Sequence, residues 1–256
     1  MKILGVIPAR YGSTRYPGKP LAMICGKPMI QHVYQRCLRA KMLDEVVVAT
    51  DDIRIYNFVK GFNGQAVLTS RKHRSGSDRI AEVIRKPRYR GFNIILNIQG
   101  DEPLIDHRAI NLLAKEMLDN PKEQMATLAT NFKNAGDVVN STTAKVVTDT
   151  QGRALYFSRC PIPFIRDENT GRAGPFLKHI GLYAYRRNFL LKFTQWPEGR
   201  LERLEKLEQL RALENGADIK VLRTNYSCLS VDSPGDVDQI ERQMKRPMSR
   251  SKKPIN

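Results

Sequence analysis

The sequence lacks any apolar run that approaches the roughly 20 residues of a membrane-spanning helix. Its first residues also lack the apolar stretch of a secretory signal peptide. Cysteine is scarce, and Cys25, Cys37, Cys160 and Cys228 show neither close pairing nor the spacing of a zinc site. These absences argue against a membrane protein and a disulfide scaffold. We expect a cytoplasmic protein with no transmembrane segment and with reduced thiols.

Acidic residues are also few: 26 Asp and Glu stand against 43 Lys and Arg, so the net charge of the 256-residue chain is +17. Basic chains bind nucleic acid, anionic membranes or small acidic substrates. The last fifteen residues contain six cations and no acid, namely Arg242, Lys245, Arg246, Arg250, Lys252 and Lys253. We therefore expect a disordered basic tail at 242–256. Two roles stay open for it, a solvated arm or contact with anionic lipid or RNA.

The remaining 241 residues show ordinary proportions for one globular domain, since the whole chain is 41% apolar and 27% charged. Apolar runs typical of buried strands recur in the first half at 3–8, 45–50, 65–68 and 93–98. Helical patterns alternate with them at 28–40, after Asp52, from about 77 to 83 and at 106–118. This alternation predicts an α/β fold, a mostly parallel sheet flanked by helices on both faces.

The second half has a different pattern. Three successive strands are predicted at 144–148, 154–158 and 178–185, which favours an antiparallel insertion or smaller lobe within about 140–215. Leucines at three-residue spacing predict one amphipathic helix over 201–215, closed by Gly216. A strand at 219–222 and a helix after Pro234 complete the domain.

The loop after the first strand is rich in Gly, Pro and positive charge. Glycine permits close approach of backbone N–H groups to an anion, and Arg10, Arg15 and Lys19 supply positive charge. The hydroxyl of Ser13 lies among them. This composition predicts a loop that binds a polyphosphate at the carboxyl edge of the sheet.

Two carboxylates are predicted to face that loop. Asp101 follows a buried strand beside Gly100, and Asp232 precedes Ser233 and Pro234 at the start of the last helix. Mg²⁺ is usually held by one or two carboxylates together with substrate phosphates, so the pair is a candidate Mg²⁺ site. Helix capping is the competing interpretation of Asp232.

A further polar set lies in the second half: Arg159, Arg166, His179, Tyr183, Glu208 and Gln209. Two arginines near one cleft suit a substrate carboxylate, and the acid and amide suit sugar hydroxyls.

Six motifs follow one another in order: Pro8-Ala9-Arg10-Tyr11-Gly12-Ser13-Thr14-Arg15 with Pro17-Gly18-Lys19-Pro20, Gln99-Gly100-Asp101-Glu102-Pro103, Tyr156-Phe157-Ser158-Arg159, Lys178-His179-Ile180-Gly181-Leu182-Tyr183, Leu207-Glu208-Gln209-Leu210-Arg211 and Val231-Asp232-Ser233-Pro234. The set resembles the 3-deoxy-manno-octulosonate (Kdo) cytidylyltransferases, the CMP-Kdo synthetases of lipopolysaccharide synthesis. It covers the whole chain except the basic tail.

The resemblance implies a Rossmann-like nucleotidyltransferase fold and a homodimer that makes CMP-Kdo and pyrophosphate from CTP and Kdo with Mg²⁺. It implies that CTP contacts Pro8, Ala9, Arg10, Ser13, Arg15, Lys19, Ser75, Gly76 and Gln99, with Arg10, Lys19 and Asp101 catalytic. Asp101 and Asp232 would hold the metal. The sugar acid would contact Arg159, Arg166, His179, Tyr183, Glu208 and Gln209.

Three positions depart from the family pattern. Lys72 stands where an acid commonly precedes the histidine of the nucleotide loop, Asn140-Ser141-Thr142 replaces Asn-Pro-Asn, and Gly235 replaces an acid. Because no proposed metal ligand is lost, we expect an active enzyme with no specific nucleic-acid partner. The 8-amino analogue of Kdo is an alternative acceptor. A non-enzymatic polyanion-binding protein is the alternative from another class.

Overall fold

The computed structural model describes residues 1–12, 16–166, 176–226 and 229–245. Its strands are β1 Lys2–Ala9, β2 Met23–Ile24, β3 Lys27–Pro28, β4 Glu45–Thr50, β5 Ala66–Leu68, β6 Phe92–Asn97, β7 Met125–Asn131, β8 Lys145–Thr148, β9 Ala154–Ser158, β10 Leu177–Arg186 and β11 Lys220–Arg223. Its α-helices are α1 Met29–Cys37, α2 Ile53–Gly61, α3 Gly76–Arg85, α4 His107–Asp119, α5 Arg187–Phe193, α6 Arg200–Glu205, α7 Leu210–Glu214 and α8 Pro234–Lys245.

Most of these strands form one sheet in the order β11-β7-β10-β6-β1-β4-β5. Strand β10 runs antiparallel to both of its neighbours, β6 and β7, whereas the remaining neighbours on this path pair in parallel. Strand β8 pairs with β10, and β9 pairs with β8. The predicted mostly parallel α/β sheet with an antiparallel insertion is confirmed.

Side chains of β1 alternate between the two faces of the sheet, as the two-residue period of a strand requires. Ile3 and Ile7 pack with residues of α1, α2 and α4 on one face. Leu4 and Val6 pack with residues of α3, α5 and α7 on the other face. Burial on both faces explains why this strand is a continuous apolar run.

The single helix predicted over 201–215 is wrong, because the chain forms two short helices separated by a left-handed residue. Helix α6 ends at Glu205, Lys206 has a φ of 52°, and α7 begins at Leu210. Arg159 stabilises the break, since its Nε donates to the Glu205 carbonyl (2.7 Å) and its Nη2 to the Lys206 carbonyl (3.3 Å). The leucine spacing matched a helix, but contacts distant in sequence decide the backbone here.

Four elements are absent from the predictions, namely strands β2, β3 and β7 and helix α5. Strand β7 is rich in small residues and threonine, and it is fixed by pairing with β10 and β11. The tail was predicted to begin at Arg242, but α8 continues through Lys245, which pairs with Glu241. Residues 246–256 lie outside the described residues. Within the described part of the chain, no helix has the length and apolarity needed to cross a membrane.

Candidate active site

A cavity of about 350 Å³ opens at the carboxyl edge of the sheet. Strands β1 and β6 end side by side there, because they pair in parallel. A Cβ atom on Gly100 would lie 2.9 Å from the Pro8 carbonyl oxygen, so glycine permits this close approach of the two loops.

Nine of the residues predicted for CTP and metal line the cavity, namely Pro8, Ala9, Arg10, Lys19, Ser75, Gly76, Gln99, Asp101 and Asp232. The other lining residues are Pro20, Met29, His73, Arg74, Arg79 and Gly100. Ser13 and Arg15 lie outside the described residues.

The ammonium group of Lys19 lies between the two predicted metal ligands. Its Nζ is 2.7 Å from Asp101 Oδ2 and 3.8 Å from Asp232 Oδ1, and it also donates to the Val231 carbonyl at 2.8 Å. Val231 N in turn donates to the Asp101 carbonyl. The two carboxylates therefore converge on one position that already holds a positive charge.

Asp236 binds the backbone that precedes α8, next to Asp232. The Asp236 carboxylate accepts hydrogen bonds from the backbone N–H groups of Asp232 and Ser233 and from the Ser233 hydroxyl. The side chain of Asp232 faces Lys19 and lines the cavity.

Local geometry braces the loop that carries Lys19. Gly18 N donates to the Tyr11 carbonyl at 2.9 Å, and Gly18 has a φ of 73°. A Cβ atom there would also lie 3.1 Å from the Tyr11 ring. The guanidinium of Arg54 stacks on the Tyr11 ring, 3.4 Å from its centroid. Gly18 is therefore required both by its backbone angle and by the packing of Tyr11.

The N-terminus of α3 borders the cavity. Ser75 is its N-cap residue, and the Ser75 hydroxyl oxygen accepts a hydrogen bond from Asp78 N at 3.1 Å. Ser75 and Gly76 both line the cavity. Partial positive charge at a helix N-terminus favours a bound anion, so the site offers a second source of positive potential besides Arg10 and Lys19.

Sequence reasoning missed Arg79, a cavity-lining cation that is only 3% exposed. Its Nη2 donates to Asp51 Oδ2 at 2.9 Å, and its Nη1 donates to the Thr69 hydroxyl. A charged residue among the apolar positions Ile80 and Val83 of α3 was the available signal. Its partner Asp51 lies 28 positions earlier and carried no motif.

A second polar cluster lies behind the cavity on β10. His179 makes ring contacts with Phe157 (centroids 5.1 Å apart) and Tyr183 (5.4 Å), and its Nε2 lies 3.1 Å from the Thr127 hydroxyl. Burial lowers the pKa of His179 to about 3. The imidazole is therefore neutral at physiological pH and acts by hydrogen bonding.

Helix break 206–209 brings Glu208 to the same cluster. The Ser77 hydroxyl donates to Glu208 Oε2 at 2.7 Å, and Arg211 Nη2 lies 3.7 Å from Glu208 Oε1. Burial raises the pKa of the Glu208 carboxyl, although hydrogen bonds from Ser75 and Ser77 oppose that change.

Four buried side-chain atoms make no hydrogen bond in the part of the chain that the structure describes: Asn97 Oδ1, Tyr183 OH, Glu208 Oε1 and Gln209 Nε2. Buried polar atoms are nearly always hydrogen-bonded, because an unpaired one costs about 1–3 kcal/mol. A ligand rich in hydroxyl and carboxylate groups would satisfy such atoms. The cluster therefore has spare hydrogen-bonding capacity for a polar ligand.

The two sites are joined through residues that belong to both. Gln99 lines the cavity, and its Nε2 donates to the Gly181 carbonyl of β10 at 3.0 Å. Ser77 follows the cavity residues Ser75 and Gly76 and holds Glu208. A ligand bound to the polar cluster would thus lie next to a nucleotide in the cavity.

The two predicted sugar-side arginines have other surroundings. Arg159 uses its guanidinium on four backbone carbonyls, those of Ser141, Thr142, Glu205 and Lys206. Arg166 is exposed and directly precedes residues 167–175, which lie outside the described part. Neither lines the cavity, so their contacts with the sugar acid stay predictions.

Comparison with known proteins agrees with this geometry. A family profile described as "Cytidylyltransferase" matches residues 4–219. The chain belongs to the cytidylyltransferase family and is an enzyme of that class.

Within this family the chain belongs with the 3-deoxy-manno-octulosonate cytidylyltransferases. It is 48% identical to the protein of that name from Geobacter sulfurreducens over 253 residues, which cover 96% of this chain and all of the relative. It is 52% identical to the protein of that name from Syntrophobacter fumaroxidans over 240 residues, covering 94% and 96%.

A solved structure of CMP:2-keto-3-deoxy-manno-octonic acid synthetase complexed with CTP has a TM-score of 0.89 and 44% identity. The match covers 95% of this chain and 98% of that one. A 4-diphosphocytidyl-2C-methyl-D-erythritol synthase from Anaerococcus prevotii shares the fold, with a TM-score of 0.61 and 14% identity.

Proposed function

We propose that this protein transfers CMP from CTP to the anomeric hydroxyl of 3-deoxy-manno-octulosonate and releases pyrophosphate. The observation that carries the proposal is the pairing of two adjoining sites, a cationic cavity and a polar cluster whose hydrogen-bonding capacity is incompletely used. The names of the relatives and the CTP bound in the similar structure support both halves.

The cavity holds the triphosphate of CTP. Arg10 and Lys19 supply positive side chains, and the N-terminus of α3 at Ser75 and Gly76 supplies backbone dipoles. Nucleotidyl transfer needs little covalent help from a protein, so positioning and charge neutralisation account for most of the catalysis. Lys19 and Arg10 stabilise the charge that develops on the leaving pyrophosphate.

The carboxylates of Asp101 and Asp232 suit a Mg²⁺ ion. They already converge on the ammonium of Lys19, which occupies the place of a cation. The described residues hold no group of three or more His, Cys, Asp or Glu that could bind a metal. Two carboxylates completed by substrate phosphates are the usual arrangement for Mg²⁺. When held by Asp101 and Asp232, a Mg²⁺ ion would neutralise charge at the phosphates and would lower the pKa of the attacking hydroxyl.

The polar cluster holds the sugar acid. Neutral His179 and the Tyr183 hydroxyl bind hydroxyl groups, and Glu208 and Gln209 fix the sugar beside Ser77. The anomeric oxygen forms a bond to the α-phosphorus as the bond from that phosphorus to the bridging oxygen of pyrophosphate breaks. The protein contributes orientation for this in-line step and excludes water with the buried rings around His179.

Exposed apolar side chains support a homodimer formed by the second-half lobe. Leu155 is 62% exposed, Phe164 89% and Leu204 71%. Exposed apolar side chains that form one contiguous patch are typical of a protein interface. Sedimentation should give twice the monomer mass, and Phe164→Asp should shift the protein towards monomer. A monomeric wild-type protein would contradict the dimer without touching the proposed reaction.

Pyrophosphate release tests the reaction. The protein is assayed with CTP, Mg²⁺ and, in turn, Kdo, its 8-amino analogue and a sialic acid. We expect turnover with Kdo at a kcat/KM well above the values for the other two acids. Turnover with none of them would overturn the proposal, and preference for another acid would reassign the acceptor.

A further inference from the structure

Lys145 is a buried cation that the reaction does not explain. It is fully buried on β8, and burial is the main cause that lowers its pKa. Its Nζ donates to the backbone carbonyls of Asn140 (2.9 Å), Thr143 (2.9 Å) and Arg159 (2.6 Å). An ammonium has three N–H donors, so every one of them donates to a backbone carbonyl group.

Two segments distant in sequence are tied together by this ammonium. Loop 140–143 precedes β8, whereas Arg159 follows β9, the strand paired with β8. Arg159 then continues the connection, because its Nη1 donates to the carbonyls of Ser141 and Thr142. The same loop carries the departure from the family pattern at Asn140-Ser141-Thr142.

Arg159 also holds the end of α6. Its Nε and Nη2 donate to the carbonyls of Glu205 and Lys206, and its backbone N–H donates to the Glu205 carboxylate. Cations at the C-terminus of a helix stabilise its last carbonyls. The chain turns left-handed at Lys206 immediately afterwards, and this turn delivers Glu208 and Gln209 to the polar cluster.

The loop side of the connection reaches the cluster as well. Ala144, which lies between the loop and β8, accepts a hydrogen bond from His179 N at 3.0 Å. Two series of contacts therefore begin at Lys145. One leads to His179, and the other leads through Arg159 to Glu208. Both series end at sugar-side residues, and neither passes through the cavity that holds the triphosphate.

We propose that Lys145 is a positioning residue for the sugar-acid half of the active site, acting through loop 140–143, Arg159 and the turn at Lys206. The inference rests on the proposed function. Lys145 itself touches no substrate. Its ammonium fixes the backbone that orients His179, Glu208 and Gln209.

The test replaces the ammonium with groups of decreasing donor capacity. Lys145→Gln keeps two N–H donors and Lys145→Met keeps none, at similar side-chain length. We expect KM for Kdo to rise about tenfold or more in Lys145→Met and by a smaller factor in Lys145→Gln. KM for CTP, and the Kd of CTP measured without sugar, should stay within about twofold of wild type.

Arg186 gives a matched control at the opposite edge of the sheet. It is also a cation whose guanidinium donates to backbone carbonyls, those of Met117, Asn120 and Glu123. Arg186→Met should lower the melting temperature while it leaves the ratio of the two KM values unchanged. A loss that came only from reduced stability would look the same in both variants.

Each outcome decides the matter. An unchanged KM for Kdo in Lys145→Met, an equal rise in both KM values, or the same sugar-specific rise in Arg186→Met would overturn the inference alone. If Lys145→Met fails to fold, Lys145→Gln is purified with CTP instead, and the ratio of its KM for Kdo to its KM for CTP tests the inference. Absence of Kdo turnover in the wild-type protein would instead overturn the proposed function together with the inference.

Discussion

The two halves of the candidate active site recognise their ligands by different physical means. The cavity at the ends of β1 and β6 is open and charged, with Lys19, Asp101 and Asp232 partly exposed. The cluster on β10, in which Tyr183 and Gln209 are buried, carries less charge, because burial lowers the pKa of His179 to about 3 and keeps its imidazole neutral. In the proposed function, one half would bind a polyanion by charge and the other would bind hydroxyl groups by hydrogen bonds.

The difference follows from where each half lies in the sheet. Parallel strands end together, so loops after β1 and β6 meet at a solvent-facing edge. The antiparallel strand β10 inserts between β6 and β7 and carries its polar side chains along a packed face. Mutations in the open half should therefore act through charge, and mutations in the buried half through unpaired polar groups.

The largest effect on kcat is expected at Asp101, a charged residue next to the reacting phosphates in the proposed function. Asp101→Asn keeps the shape of the side chain but removes half of the carboxylate pair that converges on Lys19. We expect kcat to fall about a hundredfold or more, the scale for losing one electrostatic element of a transition state. Steady-state pyrophosphate release measures it. Asp119→Asn, an exposed acid on α4 paired with Lys115, should leave kcat unchanged. A near-wild-type rate for Asp101→Asn would remove this residue from the metal site.

A smaller and more selective effect is expected at Glu208. Glu208→Gln removes a negative charge that accepts the Ser77 hydroxyl, so KM for Kdo should rise about tenfold to a hundredfold. KM for CTP should change little, because Glu208 does not line the cavity. Initial rates at varied concentrations of each substrate separate the two values.

Glu198→Gln is the matched control for Glu208. Glu198 is an exposed acid of the same lobe that pairs with Arg203 and Lys206, so its loss should cost little. Equal rises of both KM values in Glu208→Gln would break the division between a nucleotide half and a sugar half.

Sequence alone was enough to predict that the residues of the open half lie at one edge of the sheet, because their signals are local. Lys19 and Asp101 each lie in a loop that follows a buried strand, and parallel strands bring such loops to one edge. Asp232 was predicted as the second carboxylate from its position just before the last helix, and the structure places it opposite Lys19.

The buried half was less accessible to sequence reasoning. The leucine spacing over 201–215 predicted one helix, whereas the turn at Lys206 depends on Arg159, which lies 47 positions earlier. The partners of Arg159 and Lys145 are backbone carbonyls, which every residue possesses, so no residue type marks them. Such contacts become visible only when the fold brings the segments together.

The buried, neutral state of His179 predicts a pH dependence of stability. The folded protein keeps His179 neutral down to a pKa of about 3, whereas in the unfolded chain its pKa is near 6.5. Between these values the unfolded state binds more protons, so the free energy of unfolding falls as pH is lowered below about 6.5. For one group the slope is at most about 1.4 kcal/mol per pH unit.

Urea unfolding at pH 7.5 and pH 5 measures this effect. In His179→Gln the loss of stability between the two pH values should be about 1–2 kcal/mol smaller than in wild type. His107→Gln, at an exposed position on α4, should lose as much as wild type does. Identical pH profiles for wild type and His179→Gln would show that His179 is protonated in the folded protein, and the buried half would no longer be neutral.

The smallest effect concerns the proposed metal site of the open half. Lys19 Nζ holds the position on which Asp101 and Asp232 converge, so a divalent cation bound by the two carboxylates would have to displace this ammonium. Lys19→Met removes this competitor. Without nucleotide, Mn²⁺, which accepts the same oxygen ligands, should bind Lys19→Met about fivefold more tightly than wild type. Paramagnetic resonance of free Mn²⁺ measures the Kd without any turnover. Lys27→Met, at an exposed position of β3, should leave the Kd unchanged. Weaker Mn²⁺ binding by Lys19→Met would mean that Lys19 organises the carboxylate pair rather than competing for it, and charge in the open half would then serve architecture as well as binding.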